Sequence, residues 1–74
     1  MYIKEDKIEE VINLLEEKGF KEDNQFLVYE DKEDYFALNL KDYSISYTGN
    51  SGLTIEDYIN KFNLKEYLEE REGA

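Results

Sequence analysis

Apolar residues recur at helical spacing in two parts of the chain. In the first part, an i, i+3, i+4, i+7 stripe places four side chains on one face of a helix. These residues are Ile8, Val11, Ile12 and Leu15. Acidic and amide residues fill most of the positions between them. The pattern therefore predicts an amphipathic helix with one buried face.

The residues around this stripe predict where the helix begins and ends. Asp6 is placed to cap the N-terminus, and Glu9 follows three residues later, at the spacing of a capping box. Gly19 stands where a left-handed residue commonly ends a helix. Phe20 would then meet Leu15 in the hydrophobic contact of a Schellman motif.

A second helical stripe follows a turn cluster at 49–52. Thr54 is the predicted N-cap, and Asp57 occupies the third helical position, where its side chain can complete a capping box. The predicted buried face consists of Ile55, Tyr58, Ile59 and Phe62.

The stripe breaks after Phe62, which leaves two arrangements open. The next apolar residues fall on the other side of a continuing helix, and they are Leu64, Tyr67 and Leu68. In one arrangement the helix stops near Asn63, which caps a separate short helix with Glu66 as its capping-box partner, and the apolar residues fold back onto the core. In the other, the helix continues and presents a second apolar stripe to a partner. The strength of Asn as a capping residue favours the first arrangement.

Three strands are predicted between the helices, at 25–30, 35–40 and 43–48, because apolar and aromatic residues are dense there. The connections at 31–34 and 41–42 have the length of hairpin loops. The stretch 21–24 is predicted to be a polar connector.

The two-residue loop at 41–42 sets the register of the second and third strands. The opposed pairs are Leu40 with Tyr43, Leu38 with Ile45, and Phe36 with Tyr47. Directly opposed residues share a sheet face, so this register collects the apolar residues on one face and polar ones on the other.

The first strand is apolar on both faces. With a four-residue loop at 31–34, Leu27 and Tyr29 lie on the core side, and Phe26 and Val28 lie outside. A shift of the loop by one residue reverses the two sets. A half-covered antiparallel sheet usually alternates more cleanly. Burial of the outer pair under a terminus or a helix end is favoured over a contact patch for a partner.

These elements predict an α+β fold in which residues 1–74 form a single domain. The order is helix, three-stranded antiparallel meander and helix (αβββα), with a short C-terminal helix as an addition. Because each helix has one apolar stripe and the sheet has one apolar face, the helices are expected on the same face, in two layers.

Composition narrows the chemistry that this scaffold can perform. The 74 residues include no Cys and no His, which excludes disulfides, thiolate or imidazole metal ligands and the commonest nucleophile–base pairs. The turn at 49–52 lacks the Lys of a phosphate-binding loop, and the acidic run at 30–34 lacks the central Gly of an EF-hand. We expect no enzymatic activity, no cofactor and no metal site.

The charge constrains the kind of partner. Nineteen acidic residues against nine basic ones give a net charge of −10. This charge opposes direct binding to nucleic acid or to anionic membranes and favours a basic protein surface. The first residues lack the apolar stretch of a signal peptide, and no apolar run is long enough to span a membrane. We therefore expect no signal peptide and a cytoplasmic location.

Two acidic segments that contain Tyr carry a resemblance to a known class of proteins. They are Glu30-Asp31-Lys32-Glu33-Asp34-Tyr35 and Glu66-Tyr67-Leu68-Glu69-Glu70. In size, acidity and Tyr content, the chain resembles small phage and mobile-element inhibitors of the anti-CRISPR and anti-restriction type, which mimic DNA. The resemblance implies an inhibitor of a basic nucleic-acid-binding protein or nuclease. It is one of composition and assigns no residue a role.

From the residues themselves, the predicted partner-binding site consists of rigidly held acids with Tyr residues beside them. Its members are Glu30, Asp31, Glu33, Asp34, Tyr35, Glu66, Tyr67, Glu69 and Glu70. Replacing the four acids of the first segment by Ser is expected to leave folding intact or to improve it, because repulsion is relieved, and to slow association with a basic partner. Two alternatives are an antitoxin or immunity-type antidote with the same surface, and a structural homodimer that uses Phe26 and Val28 or Leu64 and Leu68.

Overall fold

The computed structural model describes residues 1–69. Two helices are present in this range, α1 (Ile8–Glu17) and α2 (Ile55–Lys61), and a 3₁₀ turn lies before α1 (Glu5–Lys7) and another after α2 (Lys65–Tyr67). The strands are β1 (Tyr2–Ile3), β2 (Lys21–Asp23), β3 (Phe26–Asp31), β4 (Asp34–Asn39), β5 (Ile45–Gly49) and β6 (Leu68–Glu69).

The strands form two antiparallel sheets. β2, β3, β4 and β5 form a four-stranded meander in sequence order, and β1 pairs with β6. A bridge between Tyr2 and Ser44, together with a hydrogen bond of 2.9 Å from the Ile45 N–H to the Met1 carbonyl oxygen, places β1 against the start of β5. The α+β class is therefore confirmed, whereas the predicted three-stranded meander has a fourth strand and a second small sheet beside it.

The prediction of a polar connector at 21–24 is wrong, because Lys21–Asp23 forms the edge strand β2. It pairs with β3 across a two-residue turn in which Asn24 has a φ of 56°, a left-handed conformation that Asn tolerates. All three side chains of β2 are exposed. An edge strand can be held by backbone pairing alone, so no apolar alternation marked it in the sequence.

The predicted register of the second and third strands is confirmed for two of its three pairs, whereas Leu40 and Tyr43 lie in the connection and are not strand partners. Leu38 lies opposite Ile45, and Phe36 lies opposite Tyr47. Leu27 lies opposite Leu38, so the first of the two alternatives for β3 is the one observed. The loops differ from the prediction: the β3–β4 turn has two residues, and strand pairing between β4 and β5 stops at Ile45, which leaves a wider connection.

The core lies between one face of the four-stranded sheet and the two helices, in agreement with the expected two layers. Its members come from nearly every element. The largest fully buried side chains are Ile3, Val11, Leu15, Leu27, Phe36, Leu38, Tyr58 and Leu64. Burying one such side chain stabilises the fold by about 1.5–3 kcal/mol, before the entropy of ordering it is subtracted.

The apolar residues after Phe62 fold back onto the core, as the favoured arrangement predicts. Leu64 has no exposed surface, and Tyr67 and Leu68 pack against the core in partly buried positions. Leu64 therefore has no surface left for a dimer contact, whereas Leu68 keeps part of its surface exposed. The predicted role of Asn63 is wrong: with a φ of 57°, it ends α2, and the 3₁₀ turn that follows has no side-chain cap.

The predicted cap of α1 by Asp6 and Glu9 is also wrong. Asp6 lies inside a 3₁₀ turn in which Lys7 donates its backbone N–H to the Lys4 carbonyl oxygen at 3.0 Å. Lys7 is the N-cap of α1 and makes no side-chain capping hydrogen bond. The added turn removes Asp6 from the flanking position that a capping residue occupies.

The other helix signals are confirmed. Gly19 has a φ of 100°, and the Phe20 N–H donates to the Leu15 carbonyl oxygen at 3.0 Å, which closes the predicted Schellman motif. At the start of α2, Thr54 and Asp57 form the predicted capping box. Both helices therefore end, and α2 also begins, where the sequence indicates.

Candidate functional site

The first acidic segment forms the β3–β4 turn and its flanking residues. Neighbours in a strand point to opposite faces, so the segment is divided between the two sides of the sheet. Glu30 pairs with Tyr35 on the outer face, and Asp31 pairs with Asp34 on the face that carries the helices. Glu33 lies in the turn itself. These residues are adjacent in sequence, but those in the strands point to opposite sides of the sheet.

Exposure separates the same residues into two groups. Glu30, Asp31 and Glu33 are exposed, and Tyr35 is 39% exposed. Asp34 is only 7% exposed. The first four can reach a partner, whereas the Asp34 carboxylate is directed into the fold.

Donors from later segments hold the Asp34 carboxylate. Ser51 Oγ donates to Oδ2 at 2.6 Å, and the Tyr58 hydroxyl donates to the same oxygen. The Tyr47 hydroxyl lies 3.1 Å from Oδ1 and 3.0 Å from the Leu53 carbonyl oxygen, so its one hydrogen is shared between two acceptors. These bonds connect the start of β4 with β5, with the loop before α2 and with α2 itself. We call this set the Asp34 network: Asp34, Tyr47, Ser51 and Tyr58.

Gly49 leaves the space that the Asp34 network needs. Gly49 lies opposite Asp34 in the β4–β5 pair. A Cβ atom at this position would collide with Asp34 Oδ1 and would lie 2.7 Å from the Tyr47 hydroxyl. Its φ is not left-handed, so the requirement is for space and not for backbone freedom.

The network favours the ionised form of Asp34. Hydrogen bonds from Ser51 and then from Tyr58 lower the pKa of Asp34 below its usual value of 3.8, against the opposing effect of burial. The hydrogen bond to Asp34, followed by burial, raises the pKa of Tyr58. Burial is also the main reason that the pKa of Tyr47 is raised. Asp34 is thus an anion stabilised by neutral donors.

This geometry suits a network that holds segments together. Tyr58 is 1% exposed, so its hydroxyl is shielded from any substrate in solution. Within residues 1–69, every buried side-chain nitrogen or oxygen has a hydrogen-bond partner. In the same part of the chain, no group of three or more potential ligands is arranged to hold a metal ion. The donors around Asp34 are therefore already used by the fold.

The second acidic segment lies in another part of the fold. Glu66 and Tyr67 belong to the 3₁₀ turn before β6, and Glu69 lies in β6, which pairs with β1. Hydrogen bonding with Glu10 of α1, followed by burial, raises the pKa of Tyr67 to about 12. The predicted site residue Glu70 lies outside the described residues. The two segments are attached to different elements, the β3–β4 turn and the β1–β6 sheet.

The outer face of the four-stranded sheet offers one exposed aromatic side chain next to the first segment. Val28 and Ala37 are cross-strand partners there and are 8% and 1% exposed, although both lie outside the core cluster. Phe26 is half-buried. The side chain of Tyr35, beside Glu30, is the more open aromatic group on this face.

Sequence reasoning missed the partners of Asp34. The predicted register placed Tyr47 on the core face, and the helical stripe placed Tyr58 in the core, but neither pattern links them to Asp34. The link depends on the path of the loop at 50–53, which returns Ser51 to the start of β4. The one available signal was Gly49 at the end of β5, since a glycine in a strand often marks a place where another group comes close to the backbone, here the Asp34 carboxylate.

No family model matches the chain, and no curated protein or solved structure matches it significantly. In the part of the chain that the structure describes, neither helix is long and apolar enough to cross a membrane. The function is therefore inferred from the chain's own charge and geometry.

Proposed function

We propose that this chain is a non-enzymatic binding protein that inhibits a basic nucleic-acid-binding protein or nuclease by covering its cationic surface. The observation that carries the proposal is a net charge of −10 on 74 residues, part of which is displayed on a short, ordered turn. We call this part the acidic turn: Glu30, Asp31 and Glu33.

The backbone of the acidic turn is fixed on both sides. β3 and β4 remain paired up to Asp31 and Asp34, which leaves only two residues in the loop. The Asn50 N–H donates to the Glu33 carbonyl oxygen at 3.2 Å, so the turn is also connected to the loop after β5. Charges on an ordered backbone lose less conformational entropy on binding than charges on a flexible tail.

Tyr35 supports the proposal as an anchor for a partner. It is 39% exposed and lies directly opposite Glu30 in the sheet. Interfaces are enriched in Tyr because its ring gives a large contact area with few rotatable bonds. An acid and an aromatic ring side by side can bind a Lys or Arg side chain through both its charge and its stem.

Long-range electrostatics support the same kind of partner. A strongly negative chain attracts a cationic cleft and increases the association rate by a factor of about 10–1,000 at low salt. This effect is screened over about 10 Å at 0.1 M salt. Binding to such a partner should therefore be fast and salt-sensitive, and it should compete with nucleic acid for the same cleft.

The test is a pull-down from host lysate at low and high salt, with the recovered proteins identified. We expect wild-type protein to recover a basic nucleic-acid-binding protein or nuclease mainly at low salt. The double variant Glu30→Gln/Glu33→Gln should recover less of it. The recovered protein, once purified, should lose its nucleic-acid binding when the wild-type chain is added.

The matched control is Glu16→Gln/Glu17→Gln, which removes the same charge from exposed positions on α1. It should retain most of the capture, because the two charges it removes lie on α1 and outside the acidic turn. Its net charge equals that of the test variant, so a difference between the two variants reports the position of the charges. Equal losses in the two variants would exclude the acidic turn as the contact surface. Recovery of partners that are not basic, or no competition with nucleic acid, would refute the proposed function.

A further inference from the structure

Asp34 lies between two exposed acidic segments that are distant in sequence. One is the acidic turn, and the other is the first turn of α2, which carries Glu56 and Asp57. The charge of Asp57 contributes to the raised pKa of Tyr47. The charge of Asp31, in the acidic turn, likewise contributes to the raised pKa of Tyr58. Both segments are therefore within electrostatic reach of the network.

The hydrogen bonds of Asp34 connect these two segments physically. Asp34 is the first residue of β4 and directly follows Glu33. Its carboxylate accepts from Ser51, in the loop that leads to α2, and from Tyr58, in α2 itself. A carboxylate with such partners holds two elements more strongly than a neutral acceptor does, because charge-assisted hydrogen bonds are roughly twice as strong.

We propose that Asp34 is a positioning residue. Its buried carboxylate holds the acidic turn and the first turn of α2 in a single arrangement, and this arrangement fits a rigid basic protein surface. This inference rests on the proposed function. It adds Glu56 and Asp57 to the surface that meets the partner. It also gives Asp34 a different role from that of its exposed neighbours, since Asp34 itself does not touch the partner.

A charge-neutral substitution separates positioning from contact. Tyr58→Phe removes one donor to Asp34, leaves the net charge unchanged and alters a residue that is 1% exposed. A partner cannot sense this change directly. Any effect on binding must therefore pass through the arrangement of the two acidic segments.

The experiment combines native-state amide exchange with binding to cytochrome c, a rigid protein with a lysine-lined face. In Tyr58→Phe and in Asp34→Asn, the amides of residues 50–58 should exchange roughly tenfold faster or more, because a hydrogen bond to a charged group is lost. The affinity of Tyr58→Phe for cytochrome c should fall about two- to tenfold. The acidic side chains of the two segments would be more mobile in this variant, and ordering one of them on binding costs that much affinity.

Val11→Ala is the control for a general loss of stability, because Val11 is fully buried on α1 and takes no part in the network. This variant should speed exchange across all the slowly exchanging core amides, with no selective increase at 50–58, and it should keep the wild-type affinity. Unchanged exchange at 50–58 in Tyr58→Phe, or unchanged affinity, would overturn the positioning role. If wild-type protein shows no salt-sensitive binding to cytochrome c, the inferred fit of the two segments to a rigid basic surface is overturned, and the exchange data still decide whether Asp34 couples them. The proposed function is decided separately, by the pull-down and the competition with nucleic acid.

Discussion

α1 and α2 end in the same backbone motif. Gly19 with a φ of 100° and Asn63 with a φ of 57° are the left-handed residues that end them. In each case the next residue, Phe20 or Leu64, donates its N–H to a carbonyl oxygen five residues earlier and is buried in the core. The shared motif satisfies a free carbonyl and turns the chain back toward the core.

The two helices begin in different ways. α2 has a capping box formed by Thr54 and Asp57, and Tyr58 connects its first turn to Asp34. α1 follows a 3₁₀ turn directly and has Lys7 as an N-cap without a side-chain bond. α2 has 7 residues and α1 has 10. Short helices are marginal in isolation, so the comparison suggests that the shorter helix depends more on side-chain bonds at its start.

The largest expected effect comes from removing the charge of Asp34, the buried carboxylate that accepts from Tyr58 and so connects α2 with β4. The pKa of Asp34 is lower in the folded state than its unfolded value of 3.8. Its stabilising contribution is therefore complete above about pH 4 and is lost as pH falls through the folded pKa. Asp34→Asn should be clearly less stable than wild type near neutral pH, and this difference should narrow in acid.

Urea unfolding over a series of pH values measures that difference. Asp31→Asn is the control, since it removes one negative charge from the exposed residue that pairs with Asp34. A gap between wild type and Asp34→Asn that stays constant from neutral to acidic pH would contradict the assignment of Asp34 as the buried anion.

Gly49→Ala should have the next largest effect, because it disturbs the same anchor without changing the charge. The added methyl group would collide with Asp34 Oδ1, which is held by its hydrogen bonds and cannot move freely. We expect a loss of about 1–3 kcal/mol, the usual cost of overpacking. Ser46→Ala, an exposed change on the same strand, should stay close to wild type in thermal unfolding. Equal stability of the two variants would show that the network can repack around a Cβ.

Gly19→Ala tests the backbone motif that ends both helices. An L-residue with a side chain pays about 1–2 kcal/mol in a left-handed conformation, offset in part by the lower entropy of the unfolded chain. At Asn63 a side chain is already tolerated at a smaller φ, so Asn63→Ala should lose less than Gly19→Ala. Denaturant unfolding of both variants ranks them. The reverse order would mean that the motif at Asn63 is the more strained of the two.

The features that the sequence predicted share a local cause. The apolar stripes of both helices, the Schellman end at Gly19 and the capping box at Thr54 each depend on residues a few positions apart. The registers of β3, β4 and β5 followed from short loops and from alternation. These signals depend on backbone geometry and on burial, and residues close together in the sequence determine both.

The features that the sequence did not predict depend on longer paths. β2 carries no apolar alternation. Asp6 lies inside a 3₁₀ turn and is not the N-cap of α1, and no residue pattern in the sequence predicts that turn. The largest difference between prediction and structure concerns Asp34, which the sequence pattern grouped with its exposed neighbours but which is buried. Its burial depends on Ser51 and Tyr58, 17 and 24 residues later in the chain. Contacts of this kind arise from the packing of whole elements, which local patterns do not encode.

Thr54→Ala should have the smallest effect of the four, and it sharpens the contrast between the helix starts. The Thr54 side chain accepts from the Asp57 N–H at 3.3 Å, and the Asp57 carboxylate accepts from the Thr54 N–H at 2.8 Å. Removing the hydroxyl breaks the first of these bonds and the 3.2 Å bond that Thr54 Oγ1 donates to the Asp57 carboxylate, but it leaves the second. A loss of about 1 kcal/mol is expected. Lys7→Ala at the start of α1 should change stability by less than about 0.5 kcal/mol, because the Lys7 side chain makes no capping bond. Chemical denaturation of the two variants side by side measures the contrast. If Lys7→Ala cost as much as Thr54→Ala, the side chain at the start of α1 would matter as much as the capping box of α2, and the proposed contrast between the two N-caps would be wrong.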